Sequence, residues 1–217
     1  MSVPGISPKV VRGGFVLSHP GGPRRVIVFQ YNPDTLTRTM KPQVPPDEPG
    51  DRLEALRLKG PPQESYKFDA EFDAADQLDR SEVDRHGLHP VLAALEACFS
   101  PTLFQLERED ERAGQGVLEI EPVEGPLTLL VLGRNRVVPV RITEFSVTEE
   151  AFDIELNPIR AKASIGARAL TVDDVGFTHP AGLLFRRNLQ KRQDLAALHF
   201  TNGGAEAAAL NQLAREG

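Results

Sequence analysis

The stretch VIVFQYNPDTLTRTM, Val26 to Met40, is where the reading of this chain turns. An apolar, β-branched run ends on Tyr31-Asn32-Pro33-Asp34, and a second run of alternating threonines comes at once after it. Pro33 has no backbone N–H to give a ladder, and Asn32 and Asp34 favour turn conformations. The pattern predicts a rigid hairpin in which YNPD ends one strand and sets the register of the returning TLTRTM. In that returning strand Thr35, Thr37 and Thr39 stand opposite in face to Leu36, Arg38 and Met40. Such a polar face suits a subunit contact or a water-filled lumen. A turn of this kind fits either a catalytic site or an assembly surface.

Working outward, FVLSHPGGPRRVIVF reads as a hairpin as well, with the His19–Pro23 cluster supplying the turn. Downstream, Lys41 to Pro62 holds six of the 18 prolines and reads as a break in any sheet, either a long exposed loop or an arm ordered by a neighbour. ESYKFDAEFDA then alternates strictly: Tyr66, Phe68, Ala70 and Phe72 on one side, Lys67, Asp69, Glu71 and Asp73 on the other. That period of two predicts a half-buried strand. In HPVLAALEACFSP, Pro90 stands at a first helical position, with Val91, Leu92, Leu95, Cys98 and Phe99 on one face. A packed helix is expected there, with Cys98 on its buried side, and the polar run Glu107–Gly116 separates it from the C-terminal half of the chain.

Three consecutive strands are expected between Gly125 and Leu170, with Gly133–Asn135 as the first turn and Thr148–Glu150 as the second. Phe152, Ile154 and Leu156 alternate with acidic and polar residues, and the alternation resumes after Pro158 as a long, alanine-faced strand. Its small face suits close packing, while Arg160, Lys162 and Arg168 point outward. The composition then changes. LLFRRNLQKRQDLAAL predicts a basic amphipathic helix, and an Ala-rich segment after TNGG a second, weaker one. These divide the chain into a β-rich domain over 1–175 and a helical docking extension over 176–217.

The bulk numbers set limits. At 217 residues the chain suffices for one buried domain, and a net charge of -6 argues against a dedicated nucleic-acid binder. One cysteine excludes an intrachain disulfide, and the absence of a signal-like start or a spanning apolar run points to cytoplasmic synthesis without membrane insertion. Eighteen glycines, 18 prolines and no tryptophan favour a mainly β (α+β) fold. His86 and His89 are three apart, but Gly87 and Pro90 place them in a helix entry rather than a metal site. The acidic run from Asp73 to Asp84 lacks the calcium-loop spacing. No nucleophile elbow, zinc-protease motif or phosphate-binding glycine loop occurs, so no enzyme or cofactor is expected. A small hydrolase or binding module with a pocket is the alternative from a different class.

Three blocks, in this order, resemble one family. FQYNPDTLTRT is similar to its early F-x-[FY]-N-P-[DE]-x-[LI] hairpin, FDAEFDAADQLDRSEVDRHGLHPVLAALEA to its strand end and short helix, and VPVRITEFSVTEEAFDIELNPIRAKASIGARAL to its closing strands. The family is the tube-domain proteins of contractile injection systems, the baseplate components of phage-tail-like particles. The resemblance implies a tube-like antiparallel β-barrel or split barrel with one packed helix. It further implies an adaptor that closes on itself as a ring, sixfold by analogy, between the spike-bearing hub and the inner-tube protein, or else a main tube subunit. Many members carry a LysM-like module after the tube domain, and here a helical segment stands in its place. The residues expected at contacts are Tyr31, Asn32, Pro33, Asp34 and Arg38 near the turn, Arg160, Lys162 and Arg168 on the late strand, and Phe185, Arg186, Arg187, Leu189, Lys191 and Arg192 on the tail helix.

Overall fold

The computed structural model describes residues 11–19, 23–45, 56–77, 81–115, 124–201 and 204–216. The centre of the His19–Pro23 turn, the middle of the proline-rich stretch, Asp79 and the first two residues after Thr201 lie outside the described residues.

Seven strands form one antiparallel sheet: β1 (Gly14–Ser18), β2 (Arg25–Val28), β3 (Leu36–Gln43), β4 (Gly60–Asp73), β5 (Leu127–Val131), β6 (Val137–Phe152) and β7 (Pro158–Ala169). Their order is β2-β1-β5-β6-β7-β4-β3. The mainly β reading therefore holds, and the β1–β2 hairpin is present, with Gly14 opposite Val28 and Leu17 opposite Arg25. The expected hairpin across YNPD is not. β2 and β3 end up as the two terminal strands of the sheet, so Tyr31–Asp34 carries the chain from one end of the order to the other. The physical reason lies in the partners: β2 is already paired to β1, and β3 finds its register on β4, Leu36 opposite Phe68 and Met40 opposite Glu64.

The sheet curls. Phe15 and Phe29, from one end of the order, meet Phe68 from the other, with Phe29 5.3 Å from Phe15 at 90° and 5.5 Å from Phe68. Edge-to-face contacts of this kind add to the burial of each ring. Inward from β4 come Tyr66, Phe68, Ala70 and Phe72, all buried, as the period of two requires. Opposite them lies the alanine face of β7: Ala161, Ala163, Ala167 and Ala169, each no more than 2% exposed. Small side chains there leave room for α2 (His89–Glu96), whose Leu92 and Leu95 are buried in the same core.

β6 carries a bulge between Ile142 and Glu144, where the pairing with β7 slips by one residue. The extra residue, Thr143, switches the inward set from Val138 and Val140 to Phe145 and Val147. Beyond that, Thr148–Glu150 is not a turn. These residues stay in the ladder, Thr148 opposite Lys162 and Glu150 opposite Arg160, the second pair being of opposite charge. The reversal falls at Asp153–Asn157 instead: Phe152 closes β6 opposite Pro158, and Ile154 and Leu156 belong to the turn, not to a strand.

Two polar stretches are more ordered than their composition predicts. Glu107 to Gly114 belongs to a helix, α3 (Leu103–Gly114), started by a capping box in which the Thr102 hydroxyl accepts from the Gln105 N–H and the Gln105 side chain accepts from the Thr102 N–H. The proline-rich stretch interrupts the sheet less than expected, because β3 continues through Pro42 and β4 begins at Gly60; the Lys59 N–H donates to the Gln43 carbonyl at 2.8 Å. Proline is tolerated here because the ends of these two strands lie at the sheet margin.

A short helix, α1 (Ser81–His86), precedes α2, and another, α4 (Val172–Val175), precedes α5 (Pro180–Thr201) and α6 (Ala205–Glu216). Within the expected docking extension, the first half of α5 packs on the sheet. Ala181 and Asn188 are buried, and Asn188 Nδ2 donates to the Val137 carbonyl at 3.2 Å. After Arg192 every described residue of α5 is exposed.

Candidate functional site

Turn chemistry fixes the YNPD segment from within the chain. Asn32 Oδ1 accepts from the Gly13 N–H at 2.8 Å and its Nδ2 donates to the Val11 carbonyl at 3.0 Å, so a side-chain amide extends the β1 ladder. Gln30 does the same at the other end of the sheet. Its Nε2 donates to the Asp73 carbonyl at 2.8 Å and its Oε1 accepts from the Asp73 N–H at 2.9 Å, joining the β2 end of the order to the β4 end without a strand ladder. The Tyr31 hydroxyl donates to the Asp76 carboxylate, which raises the phenol above its ordinary value. Pro33 and Asp34 border shallow clefts beside Leu132 and Lys162 respectively.

On the outer face of the sheet the residues expected to point outward do so, and they are paired. Arg160 reaches Asp73 at 3.0 Å, Lys162 reaches Asp69 at 2.9 Å, and Arg168 reaches Asp174 at 2.8 Å. Hydrogen bonds from Ser164 and then Lys162 hold the Asp69 carboxyl below its ordinary range. Exposed pairs of this kind contribute little stability. They hold rows of both charge signs in fixed positions.

At the opposite margin lies a cluster that sequence reasoning missed. Glu64, on the inward parity of β4, is 4% exposed. It accepts from the Tyr66 hydroxyl and from Arg192 Nη2, the latter at 2.5 Å, with Arg38 Nε 3.7 Å away. Burial and then the bond to Glu64 push the Tyr66 phenol well above its usual range. Arg192 thus clamps α5 to the sheet. The signal available in the sequence was the charge at an inward position of an otherwise apolar strand face, which demands a partner. Of the remaining tail residues, Phe185 is half-buried, Arg186 lies 5.7 Å over the Phe177 ring, and Arg187, Leu189 and Lys191 are exposed.

No protein-family model matches this chain, and no curated protein sequence does either.

A cleft of about 840 Å³ brings Cys98, Ser100, Glu124 and His179 together between α2, β5, β6 and α4. It is the place a pocketed enzyme would use. His179 Nδ1 accepts from the Ala181 N–H at 3.1 Å, leaving Nε2 3.6 Å from the Glu124 carboxylate. Burial pushes the Cys98 thiol up to about 12, so the thiolate that a nucleophile needs is suppressed. Native protein is therefore expected to leave Cys98 unmodified by a thiol reagent at pH 8 over hours, with stoichiometric reaction in denaturant. Rapid labelling of the folded chain would show the thiol to be accessible and activated. Among the described residues, no three histidine, cysteine or carboxylate side chains converge on a possible cation site. His86 and His89 flank Gly87, which takes φ +53°, in the junction between α1 and α2.

Among the described residues the most exposed large apolar side chain is Ile154, in the β6–β7 turn. Asp153 organises it: Oδ1 accepts from the Glu155 and Asn157 N–H groups, each at 2.8 Å, and Oδ2 accepts from Asn157 Nδ2 at 2.8 Å. The Leu88 N–H donates to the Pro158 carbonyl at 2.9 Å and ties the base of the turn to the entry of α2. Ala151 and Leu156 take left-handed backbone, φ 51° and 65°, which side chains other than glycine rarely adopt. The result is a fixed turn that presents Ile154 and Leu156 to solvent, 102% and 75% exposed. The bonds from Asn157, side chain first, hold the Asp153 carboxyl below its ordinary value of 3.8. A depressed carboxyl contributes order above the ordinary value and loses it as pH falls through the folded one. Amide resonances of Glu155 and Asn157 are thus expected to stay constant down to about pH 4 and to move below it, ahead of the sheet amides. Asp153→Ala is expected to give the low-pH pattern at neutral pH, and identical spectra for the two proteins would contradict the role of the carboxylate.

Proposed function

We propose that this chain is a structural, non-catalytic subunit that closes into a ring in the baseplate of a contractile injection particle, joining the spike-bearing hub to the inner tube. In this reading the curled sheet is a split β-barrel of the tube type. One observation carries it. The two ends of the seven-stranded sheet are joined by the Gln30 side chain and the Phe15–Phe29–Phe68 rings, leaving β2 and β3 as open edges. Open edges are templates for further pairing, and a head-to-tail ring needs two different surfaces on each copy. The exposed end of α5 and the helix α6 add a third surface, with Leu198, Phe200, Leu210 and Leu213 each more than 60% exposed, suited to docking a hub. No helix among the described residues is long and apolar enough to cross a membrane.

Co-expression with an inner-tube protein and a hub protein tests the reading. The expected result is a complex that contains all three and loses the hub, but not the ring, when the chain is cut after Gln193. A chain that binds neither protein overturns it.

A further inference from the structure

The Asp153 turn spends two left-handed non-glycine residues and a set of hydrogen bonds to hold an apolar tip in water. The charged residues of the turn's own sequence are negative: Glu149, Glu150, Asp153 and Glu155, with no cation between Thr148 and Asn157, and the Arg160 that stands opposite Glu150 in the ladder is paired to Asp73. The glutamates of this group make no ion pair with a described residue.

The reverse pattern lies on the outer face of β2. Val26 and Val28, 63% and 53% exposed, line a groove of about 630 Å³ whose other wall is Val91 and Ala94 of α2. Arg12 borders the same groove, whose one lining carboxylate, Asp76, accepts from the Tyr31 hydroxyl, and Arg24 precedes Val26 on the same face, since alternate residues of a strand point the same way. Neither arginine makes an ion pair with a described residue. β2 is also a terminal strand, with one side of its ladder open.

We propose that these two surfaces meet between copies: the Ile154–Leu156 tip of one chain docks against Val26 and Val28 of a second, with Glu150 and Glu155 facing Arg12 and Arg24. Apolar centre meets apolar centre and anionic rim meets cationic rim. Such charge arrangement fixes orientation and excludes the like-with-like pairings, tip to tip and groove to groove. The contact is heterologous, so repetition closes a ring or extends a filament. It rests on the ring reading above and names the contact by which the ring closes.

The test measures self-association of the full chain by sedimentation velocity over a range of concentrations, with amide resonances of the β4 and β7 strands as the check on folding. Ile154→Ser/Leu156→Ser is expected to weaken association at least about a hundredfold, because both side chains return to water. Glu150→Arg/Glu155→Arg and Arg12→Glu/Arg24→Glu are each expected to weaken it about tenfold or more. The four charge changes combined in one chain are expected to restore it to within about fivefold of the original, since every tip then meets a groove of opposite sign. Association as weak in the combined variant as in either pair overturns the proposal, and so does wild-type assembly by the Ile154→Ser/Leu156→Ser chain; rings that persist in that case leave the ring reading standing. A chain that is monomeric at every concentration and ignores tube and hub proteins overturns both.

Discussion

Phe29→Ala is expected to destabilise the fold by about 3–5 kcal/mol, the cost of emptying a buried aromatic site. Phe29 is fully buried and contacts both Phe15 of β1 and Phe68 of β4, so it belongs to the small set of residues that hold the two ends of the sheet together. The two ends share no strand ladder that could keep them in place once the ring is gone. For a chain of this size the loss corresponds to a fall in Tm of roughly 10 °C. Thermal unfolding followed by circular dichroism measures it. A shift below about 1 kcal/mol would mean that the curl is maintained elsewhere and that the ring cluster is incidental.

The second large effect is expected at the clamp on α5. Arg192→Met removes the cation and leaves the Glu64 carboxylate, 4% exposed, with only the Tyr66 hydroxyl in contact and Arg38 3.7 Å away. Breaking a buried pair on one side costs about 3–5 kcal/mol; because Arg192 is itself one-quarter exposed, about 3 kcal/mol is expected. Its effect should be local before it is global. Amides of α5 should lose exchange protection while those of β4 and β7 keep theirs. Replacing both partners by apolar residues, Glu64→Leu with Arg192→Leu, in a Tyr66→Phe background that leaves no orphaned hydroxyl, should recover most of the loss, since the buried charge goes with its partners. Equal destabilisation in single and double variants would show that the contact positions α5 through shape rather than charge.

How far the sequence could carry the fold depended on whether each feature is local. β4 was legible because Tyr66, Phe68, Ala70 and Phe72 repeat every second residue against charged neighbours, and a strand with one buried face has no other pattern. The alanine face of β7 was legible for the same reason. Turn chemistry in Tyr31–Asp34 says that a strand ends there, but not which strand comes next to which, and the crossing from β2 to β3 is decided by partners far away in the chain. Ile154 and Leu156 were read as strand because they continue the period of Phe152. That period is interrupted by the Asp153 carboxylate, whose hydrogen bonds to Glu155 and Asn157 outweigh the apolar alternation. Glu64 and Arg192 lie 128 residues apart, so the inward charge could be noticed without its partner. At α3, Thr102 and Gln105 had the spacing of a capping box ahead of Glu107–Gly116, and that signal outweighs the polarity of the run.

The proposed ring rests on the resemblance to tube-domain proteins, and the curled sheet with its two open edges is the feature that supports it. Its closure requires different surfaces at the two sides of one copy. In the proposed ring the acidic apolar tip and the basic apolar groove are such a pair.

Negative-stain imaging of the full chain, purified with an inner-tube protein and alone at high concentration, tests ring closure most directly. Closed rings of one order, with six copies expected from the tube resemblance and the same mass by native mass spectrometry, are the predicted result. Particles of monomer size under both conditions would contradict it.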